Sequence, residues 1–276
     1  MVRVGLVGCG TIGRRLAQTL RRSYPHLARL SAIHDGDMAQ AIALRRFLRS
    51  SVRIVSLNEL IRRCELVIEA ASADAAVDVA VRALRAHRDV LIMSVGGLLR
   101  NNAWRRIARR SQGSVWIPSG ALAGLDGVKA LAVGTIKRVS LTTRKPPQAL
   151  AAAPYILQNR IELDCLKVPR LLFEGSPLEV VKAFPQNTNV AATLALAVSG
   201  QAEPKAKKGS PPILVRVIAD PTLSANVHEL EVEGDCGRIH CRVESRPSAN
   251  PRTSELAVRS AIATLSRIFE PIRLGT

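Results

Sequence analysis

Hydrophobic and polar positions follow two different patterns along the chain, and the first pattern covers residues 1–120. Short apolar runs typical of buried strands alternate there with segments of helical periodicity. The predicted strands are 2–7, 30–34, 53–55, 66–70 and 90–94, and the predicted helices are 11–22, 37–48, 57–63, 73–86 and 101–110. This order predicts an α/β fold with a doubly wound parallel sheet (a Rossmann-type domain) covered by helices on both faces.

The second pattern, over residues 121–249, is typical of an α+β domain. Predicted strands lie at 136–143, 214–219, 227–233 and 238–244, with helices at 177–183 and 190–198. Residues 234–237 read Gly-Asp-Cys-Gly, a turn signal between two alternating strands, which predicts an antiparallel hairpin.

A last helix is predicted in residues 250–276, with Asn250 as its N-cap and Pro251 at its first position. Its apolar stripe has helical spacing and consists of Val258, Ala261, Ile262, Leu265 and Ile268. We expect this helix to pack back on the first domain.

A G-x-G-x-x-G motif follows the first strand and opens the first helix. It consists of Gly8, Cys9, Gly10, Thr11, Ile12 and Gly13. In such a turn, Gly8 allows the tight bend, Gly10 lets a pyrophosphate approach the backbone, and Gly13 lets the helix pack closely on the strand. The start of the helix offers unpaired N–H groups to the phosphates. The motif therefore predicts a dinucleotide site.

Two further features support that site. Asp35 ends the second strand, where a carboxylate accepts hydrogen bonds from ribose hydroxyls and repels a 2′-phosphate, so NAD is the expected cofactor. His34 and the nearby arginines leave NADP possible. Ala71 and Ser72 follow the fourth strand, and residues 94–97 follow the fifth, where small residues either border a ligand or form compact loops.

Composition narrows the function classes. The net charge of +18 suits a nucleic-acid partner, but the arginines are spread over many helices and the chain has only four Phe, two Trp and two Tyr for base stacking. We therefore interpret the charge as an Arg-rich surface and expect no nucleic-acid partner. The five cysteines are scattered without a C-x-x-C pair, so no metal site is predicted.

No membrane segment is expected, because no apolar run reaches the roughly 18 residues that span a bilayer. The first residues form a strand rather than a secretion signal, so we expect a cytoplasmic protein. The polar, Lys-rich stretch 201–212 is predicted to be a loop, either a phosphate contact or a tolerated surface insertion.

The second half of the chain resembles the L-aspartate dehydrogenase family. Five segments carry the resemblance in the family's order: 117–126 (IPSGALAGLD), 142–147 (TTRKPP), 184–192 (FPQNTNVAA), 218–221 with 226–229 (IADP and NVHE), and 250–254 (NPRTS). The family oxidises L-aspartate with NAD(P) to iminoaspartate, which water hydrolyses to oxaloacetate and ammonia. In some organisms the imine feeds NAD biosynthesis instead.

The resemblance implies a role for particular residues. It implies that His228 is catalytic, that Ala121 or Ala123 contacts the dinucleotide, and that Asn187 or Asn189 does so as well. It also suggests a homodimer or a larger homo-oligomer. The sequence does not decide within either pair.

The residues are chemically suited to such a reaction. Removing a hydride from an amino acid requires a neutral amine, for which a histidine with a pKa of about 6 to 7 is a suitable base. A substrate with two carboxylates needs cations and amide donors. The candidates are Ser119, Gly120, Arg144, Lys145 and Asn226. The alternative interpretation of the two cations is a basic strand edge.

Two alternative functions stay open. The chain could be a related reductase that acts on another anionic imine or semialdehyde, or a non-catalytic Rossmann protein that binds a nucleotide or a nucleic acid.

Overall fold

The computed structural model describes residues 1–185, 189–200, 213–246 and 254–275. The chain divides into two compact units. The first consists of Met1–Pro118 and Val258–Arg273, and the second is built from Ser119–Ala257 with the chain end from Leu274. No helix within the described residues is long and apolar enough to cross a bilayer.

The first unit contains a six-stranded parallel sheet with the order β3-β2-β1-β4-β5-β6. Its strands are β1 (Val2–Val7), β2 (Ala28–His34), β3 (Arg53–Ile54), β4 (Leu66–Glu69), β5 (Asp89–Ile92) and β6 (Val115–Trp116). Its helices are α1 (Thr11–Ser23), α2 (Met38–Phe47), α3 (Leu57–Arg63), α4 (Ala73–Arg85), α5 (Val95–Arg100) and α6 (Ala103–Ala108). This confirms the predicted α/β class, and the fully buried β4 is what a strand covered on both faces requires.

The segment after β5 differs from the prediction. For residues 94–97 the sequence allows a compact loop or a ligand border, whereas in the structure Val95 begins α5, whose first four residues are buried. The single helix predicted over 101–110 is instead the short α6, because Asn101 leaves the helical conformation and separates it from α5. Gly97 lies against the start of α4, where a Cβ would be 2.0 Å from the Ala73 carbonyl oxygen, so a residue without a side chain is required at this contact.

The last described helix, which we label α11 (Glu255–Phe269), packs on the first unit as predicted. Ala261 and Leu265 are buried in that unit's core, and the Tyr24 hydroxyl lies 2.7 Å from the Ser266 hydroxyl. The expected cap at Asn250 and Pro251 lies outside the described residues. Ser254 Oγ accepts a hydrogen bond from the Ala257 N–H at 3.1 Å at the start of this helix.

The second unit is built on a five-stranded mixed sheet with the order β11-β10-β7-β9-β8. The strands are β7 (Ile136–Lys145), β8 (Arg170–Gly175), β9 (Ile213–Ala219), β10 (Asn226–Gly234) and β11 (Arg238–Ser245). The helices are α7 (Leu125–Leu131), α8 (Pro154–Gln158), α9 (Pro177–Ala183) and α10 (Asn189–Ser199). The β10–β11 pair is antiparallel, and the α+β class is confirmed.

The two faces of this sheet have opposite character. One face, which we call the inner face, carries the alternate residues of β7 and β10 that are buried, among them Leu141, Leu230 and Val232, and it packs with Phe184 in the core. The other face carries charged side chains joined by ion pairs. Strand side chains alternate between faces, so the register decides which residues share the inner face.

Candidate active site

The glycine turn of the first unit has the geometry that its sequence predicts. Gly8 has a φ of +95°, and a Cβ there would lie 2.5 Å from the carbonyl carbon and oxygen of Ala70. A Cβ on Gly13 would collide with the carbonyl oxygen of Gly8. At Gly10, by contrast, no described atom lies within 4 Å of the position that a Cβ would take. The turn is therefore closed toward the sheet and open at Gly10.

The first turn of α1 begins directly after Gly10. The Arg14 N–H makes the first helical hydrogen bond, to the Gly10 carbonyl at 2.9 Å. The amides of Thr11, Ile12 and Gly13 precede it, and helix geometry gives them no intrahelical acceptor. Such amides, with the positive end of the helix dipole, suit a phosphate group.

Asp35 is held against the same turn. Its Oδ2 accepts the Cys9 N–H at 2.7 Å, and its Oδ1 accepts the Asp37 N–H at 2.9 Å. The carboxylate is thus fixed between the glycine turn and the start of α2, at the end of β2. This is where a ribose hydroxyl of a bound dinucleotide would find an acceptor.

Glu69, at the end of β4, is a residue that the sequence reasoning missed. It is fully buried. Its carboxylate accepts the N–H groups of Ala71, Ser72 and Ser94 at 2.8, 3.1 and 3.0 Å, and the Ser94 hydroxyl lies 2.9 Å from it. Burial raises the pKa of this carboxyl, and the hydrogen bonds oppose the shift. A carboxylate that ends an otherwise apolar buried strand was the available signal.

Ala71 and Ser72 lie next to the glycine turn, because a Cβ on Gly8 would be 2.6 Å from the Ala71 nitrogen. Their N–H groups donate hydrogen bonds to the Glu69 carboxylate. The Ser72 Oγ accepts the Ala75 N–H at 3.2 Å and so caps α4. Both residues are exposed. Contact with a dinucleotide would therefore come from their side chains, not from their N–H groups.

His228 lies on the inner face of the second unit's sheet. It is 3% exposed, and its Nδ1 lies 3.1 Å from the Thr143 hydroxyl. Thr143 is its direct cross-strand partner on β7, and Val243 is its partner on β11. The ring is thus fixed by strand register and by one hydrogen bond.

The electrostatics of His228 differ from the expectation of a base with a pKa between 6 and 7. Burial lowers the pKa of the imidazole to about 3, and the nearby Lys145 ammonium adds a smaller effect in the same direction. Burial also lowers the pKa of Lys145 to about 8. At neutral pH the ring is therefore neutral, and Lys145 is largely protonated.

The register separates the two predicted cations. Lys145 is buried on the inner face, two residues beyond Thr143, and Asn226 is buried two residues before His228. Arg144 points to the opposite face, where its Nε lies 3.3 Å from a Glu229 carboxylate oxygen. The prediction that Arg144 shares the substrate site with Lys145 is corrected, because adjacent strand residues cannot share a face.

The other residues predicted to contact the cofactor or the substrate lie between the two sheets in sequence, at the start of α10, or outside the described residues. Ala121 is buried in the second unit's core, whereas Ala123 is exposed. Ser119 and Gly120 are half-buried. Asn189 is exposed at the start of α10, and Asn187 lies outside the described residues, as do residues 203–210, for which the sequence predicts a basic loop. The choices between the alanines and between the asparagines stay open.

Two family models match the chain, one for each half. Residues 126–268 match the C-terminal domain of aspartate dehydrogenase, and residues 8–116 match the NAD binding domain of homoserine dehydrogenase.

Similar proteins match over the full length. The chain is 43% identical over 282 residues to the L-aspartate dehydrogenase of Methanosarcina barkeri, with 100% of both chains covered. It is 36% identical to that of Bradyrhizobium diazoefficiens, covering 100% of this chain and 94% of the relative. The crystal structure of aspartate dehydrogenase from Thermotoga maritima matches with a TM-score of 0.71 and 25% identity, covering 100% of both chains.

Proposed function

Because the chain belongs to the L-aspartate dehydrogenase family, we propose that it oxidises L-aspartate with NAD⁺. L-Aspartate, NAD⁺ and water would give oxaloacetate, ammonium, NADH and one proton, through iminoaspartate. Full-length similarity to L-aspartate dehydrogenases carries this proposal. The proposal is also supported by the groups that each unit offers, which suit a dinucleotide in the first unit and a dicarboxylate in the second. Delivery of the imine to NAD biosynthesis is a further part of the proposal.

The first unit would hold the dinucleotide. The pyrophosphate fits over Gly10 and the amides of Thr11, Ile12 and Gly13, and Asp35 would accept a ribose hydroxyl. When bound, the cofactor accepts the hydride that leaves Cα of the substrate. The Asp35 carboxylate favours NAD over NADP, since it would repel a 2′-phosphate. Ala71, Ser72, one of Ala121 and Ala123, and one of Asn187 and Asn189 complete the proposed contacts.

His228 is the proposed acid–base residue. With Nδ1 engaged by Thr143, Nε2 is the nitrogen through which the ring would act. For Nε2 to accept a proton, Nδ1 must carry the hydrogen and donate it to the Thr143 hydroxyl. The ring would take a proton from the substrate ammonium to give the neutral amine, release that proton to solvent, and later take a proton from the water that attacks the imine carbon.

A bound substrate would also strengthen this base. Lys145, and Asn226 beside it, are the proposed partners of a substrate carboxylate on the inner face. An anion next to Lys145 would offset the positive charge that helps to lower the pKa of His228. The imidazole thus becomes a better base when substrate is present than in the free protein. Ser119 and Gly120 remain proposed backbone contacts.

The organisation of the whole chain is part of the proposal. Residues 1–120 would bind the dinucleotide, 121–249 would bind substrate and catalyse the reaction, and 250–276 would return to the first domain. A cytoplasmic homodimer or larger homo-oligomer is the proposed state, which sedimentation of the purified protein would test.

A direct assay tests the function. Purified protein would be mixed with NAD⁺ or NADP⁺ and a panel of amino acids, and formation of the reduced nicotinamide would be followed by absorbance. L-Aspartate should give the fastest reaction, with NAD⁺ preferred. An absence of signal with L-aspartate and either cofactor would contradict the proposal, and a faster reaction with another substrate would redirect it.

A further inference from the structure

Ser245, the last residue of β11, carries a buried hydroxyl whose purpose the fold does not explain. The residue is 3% exposed. No group among the described residues forms a hydrogen bond with its Oγ. A buried hydroxyl without a partner costs about 1–3 kcal/mol. A serine at such a position is therefore expected to have a ligand.

The position of Ser245 connects it to the proposed substrate site. Ser245 pairs with Asn226 across the β10–β11 ladder, and His228 lies two residues further along β10 on the same face. On the other side of β10, His228 pairs with Thr143, which brings Lys145 next to Asn226. Direct cross-strand neighbours have Cβ atoms about 5 Å apart. The hydroxyl, the amide and the ammonium thus line one end of the inner face.

The chemistry of this end differs from that of the rest of the face. Further along the same strands the face is apolar, with Leu141, Leu230 and Val232 packed in the core. Lys145 contributes a buried positive charge, and Ser245 and Asn226 contribute neutral donors. A carboxylate has the opposite charge and accepts several hydrogen bonds at once, so this set of groups suits a carboxylate.

We propose that Ser245 is a substrate-binding residue, and that its hydroxyl joins Lys145 and Asn226 in a subsite for one carboxylate of a dicarboxylate. The inference rests on the proposed function, since L-aspartate supplies the dicarboxylate. The hydroxyl donates to a carboxylate oxygen, which satisfies the group that the fold leaves without a partner.

Calorimetric titration with succinate, a dicarboxylate without an amine, tests the subsite without requiring turnover. The variant Ser245→Ala should bind succinate about 10- to 100-fold more weakly, the loss expected for a hydrogen bond to a charged group. Ser245→Thr, which keeps the hydroxyl, should retain most of the affinity. The matched control is Ser140→Ala, which removes a buried serine on the opposite face of the same sheet, beside Glu231.

Thermal unfolding separates binding from a structural role. Ser245→Ala should unfold at the same temperature as the wild type or higher, because it removes an unsatisfied group. Unchanged succinate affinity in Ser245→Ala would overturn the proposal, and so would a wild type that binds neither succinate nor L-aspartate. A loss of thermal stability in Ser245→Ala would assign the hydroxyl to the fold. Succinate binding that depends on Ser245, without oxidation of L-aspartate, would keep the subsite and reject the proposed function.

Discussion

Glu69 in the first unit and the polar groups on the inner face of the second unit are all buried, but their hydrogen-bonding groups are satisfied in different ways. Glu69 in the first unit is surrounded by four donors of its own chain, which join the turns after β4 and β5. On the inner face of the second unit, Thr143 contacts one nitrogen of His228, and Ser245 Oγ has no partner among the described residues. Both regions lie at strand ends.

This difference indicates that Glu69 holds the shape of the proposed cofactor site, whereas His228 and Ser245 are available to a ligand. A buried carboxylate with several donors stabilises the local fold, because breaking its hydrogen bonds leaves other buried groups without partners. The buried Ser245 hydroxyl has no partner among the described residues and lies beside Asn226, so a bound substrate is expected to satisfy it. We therefore expect substitution of Glu69 to act on cofactor binding and stability, and substitutions on the inner face to act on substrate and turnover.

The largest effect is expected for His228→Ala. Loss of the acid–base group should lower kcat by about 10²- to 10⁴-fold. Affinity for NAD⁺, measured by calorimetry, should stay within about twofold of the wild type, because the proposed dinucleotide contacts of the glycine turn lie in the other unit. His240→Ala, an exposed histidine on β11, is the control and should be fully active. Near-normal kcat in His228→Ala would remove His228 from the mechanism.

Lys145→Met should have the next largest effect. Loss of the buried cation should raise the KM for L-aspartate by about 10- to 100-fold. Arg144→Met is the matched control, because the neighbouring side chain points to the other face and pairs with Glu229. Equal changes in KM for the two variants would show that the inner face does not select the substrate.

The same lysine predicts a pH dependence. Its ammonium is present below a pKa of about 8 and is lost above it, so inhibition by succinate should weaken as the pH rises through 8. The inhibition constant should rise by up to about tenfold per pH unit above that value. In Lys145→Met this rise should disappear; a wild-type inhibition constant that stays flat from pH 7 to 10 would contradict the assignment.

The smallest effect on the reaction is expected for Glu69→Gln. Its amide would place a donor against N–H groups that need an acceptor, so the free energy of unfolding should fall by about 1–3 kcal/mol. Because the Ala71–Ser72 turn packs on Gly8, affinity for NAD⁺ should also fall, by roughly tenfold, while kcat at saturation changes little.

Glu65→Gln is the control for that variant. Glu65 lies just before β4, is exposed and pairs with Arg3, so its loss should cost about 1 kcal/mol or less. Normal NAD⁺ affinity in Glu69→Gln, with reduced stability, would limit Glu69 to the fold.

The sequence predicted the parts of the fold that depend on local pattern. The glycine turn, Asp35, the parallel strands and the stripe of α11 follow from spacing and residue type. The strand β8 was missed, because most of its side chains are exposed or half-buried and show little apolar alternation.

The details of the site depend on register, which spacing alone does not provide. Arg144 and Lys145 are equally basic in sequence, and only pairing with β10 assigns Lys145 to the inner face. The strand predicted over 238–244 stopped one residue short of Ser245. The low pKa of His228 arises from burial and from Lys145, neither of which was visible from the sequence.

A crystal structure with both NAD⁺ and succinate would test the account most directly. We expect the pyrophosphate over Gly10 at the start of α1, and a succinate carboxylate within hydrogen-bond distance of Ser245 Oγ and Lys145 Nζ. A dinucleotide bound away from the glycine turn, or a dicarboxylate bound away from the inner face of the second sheet, would contradict it.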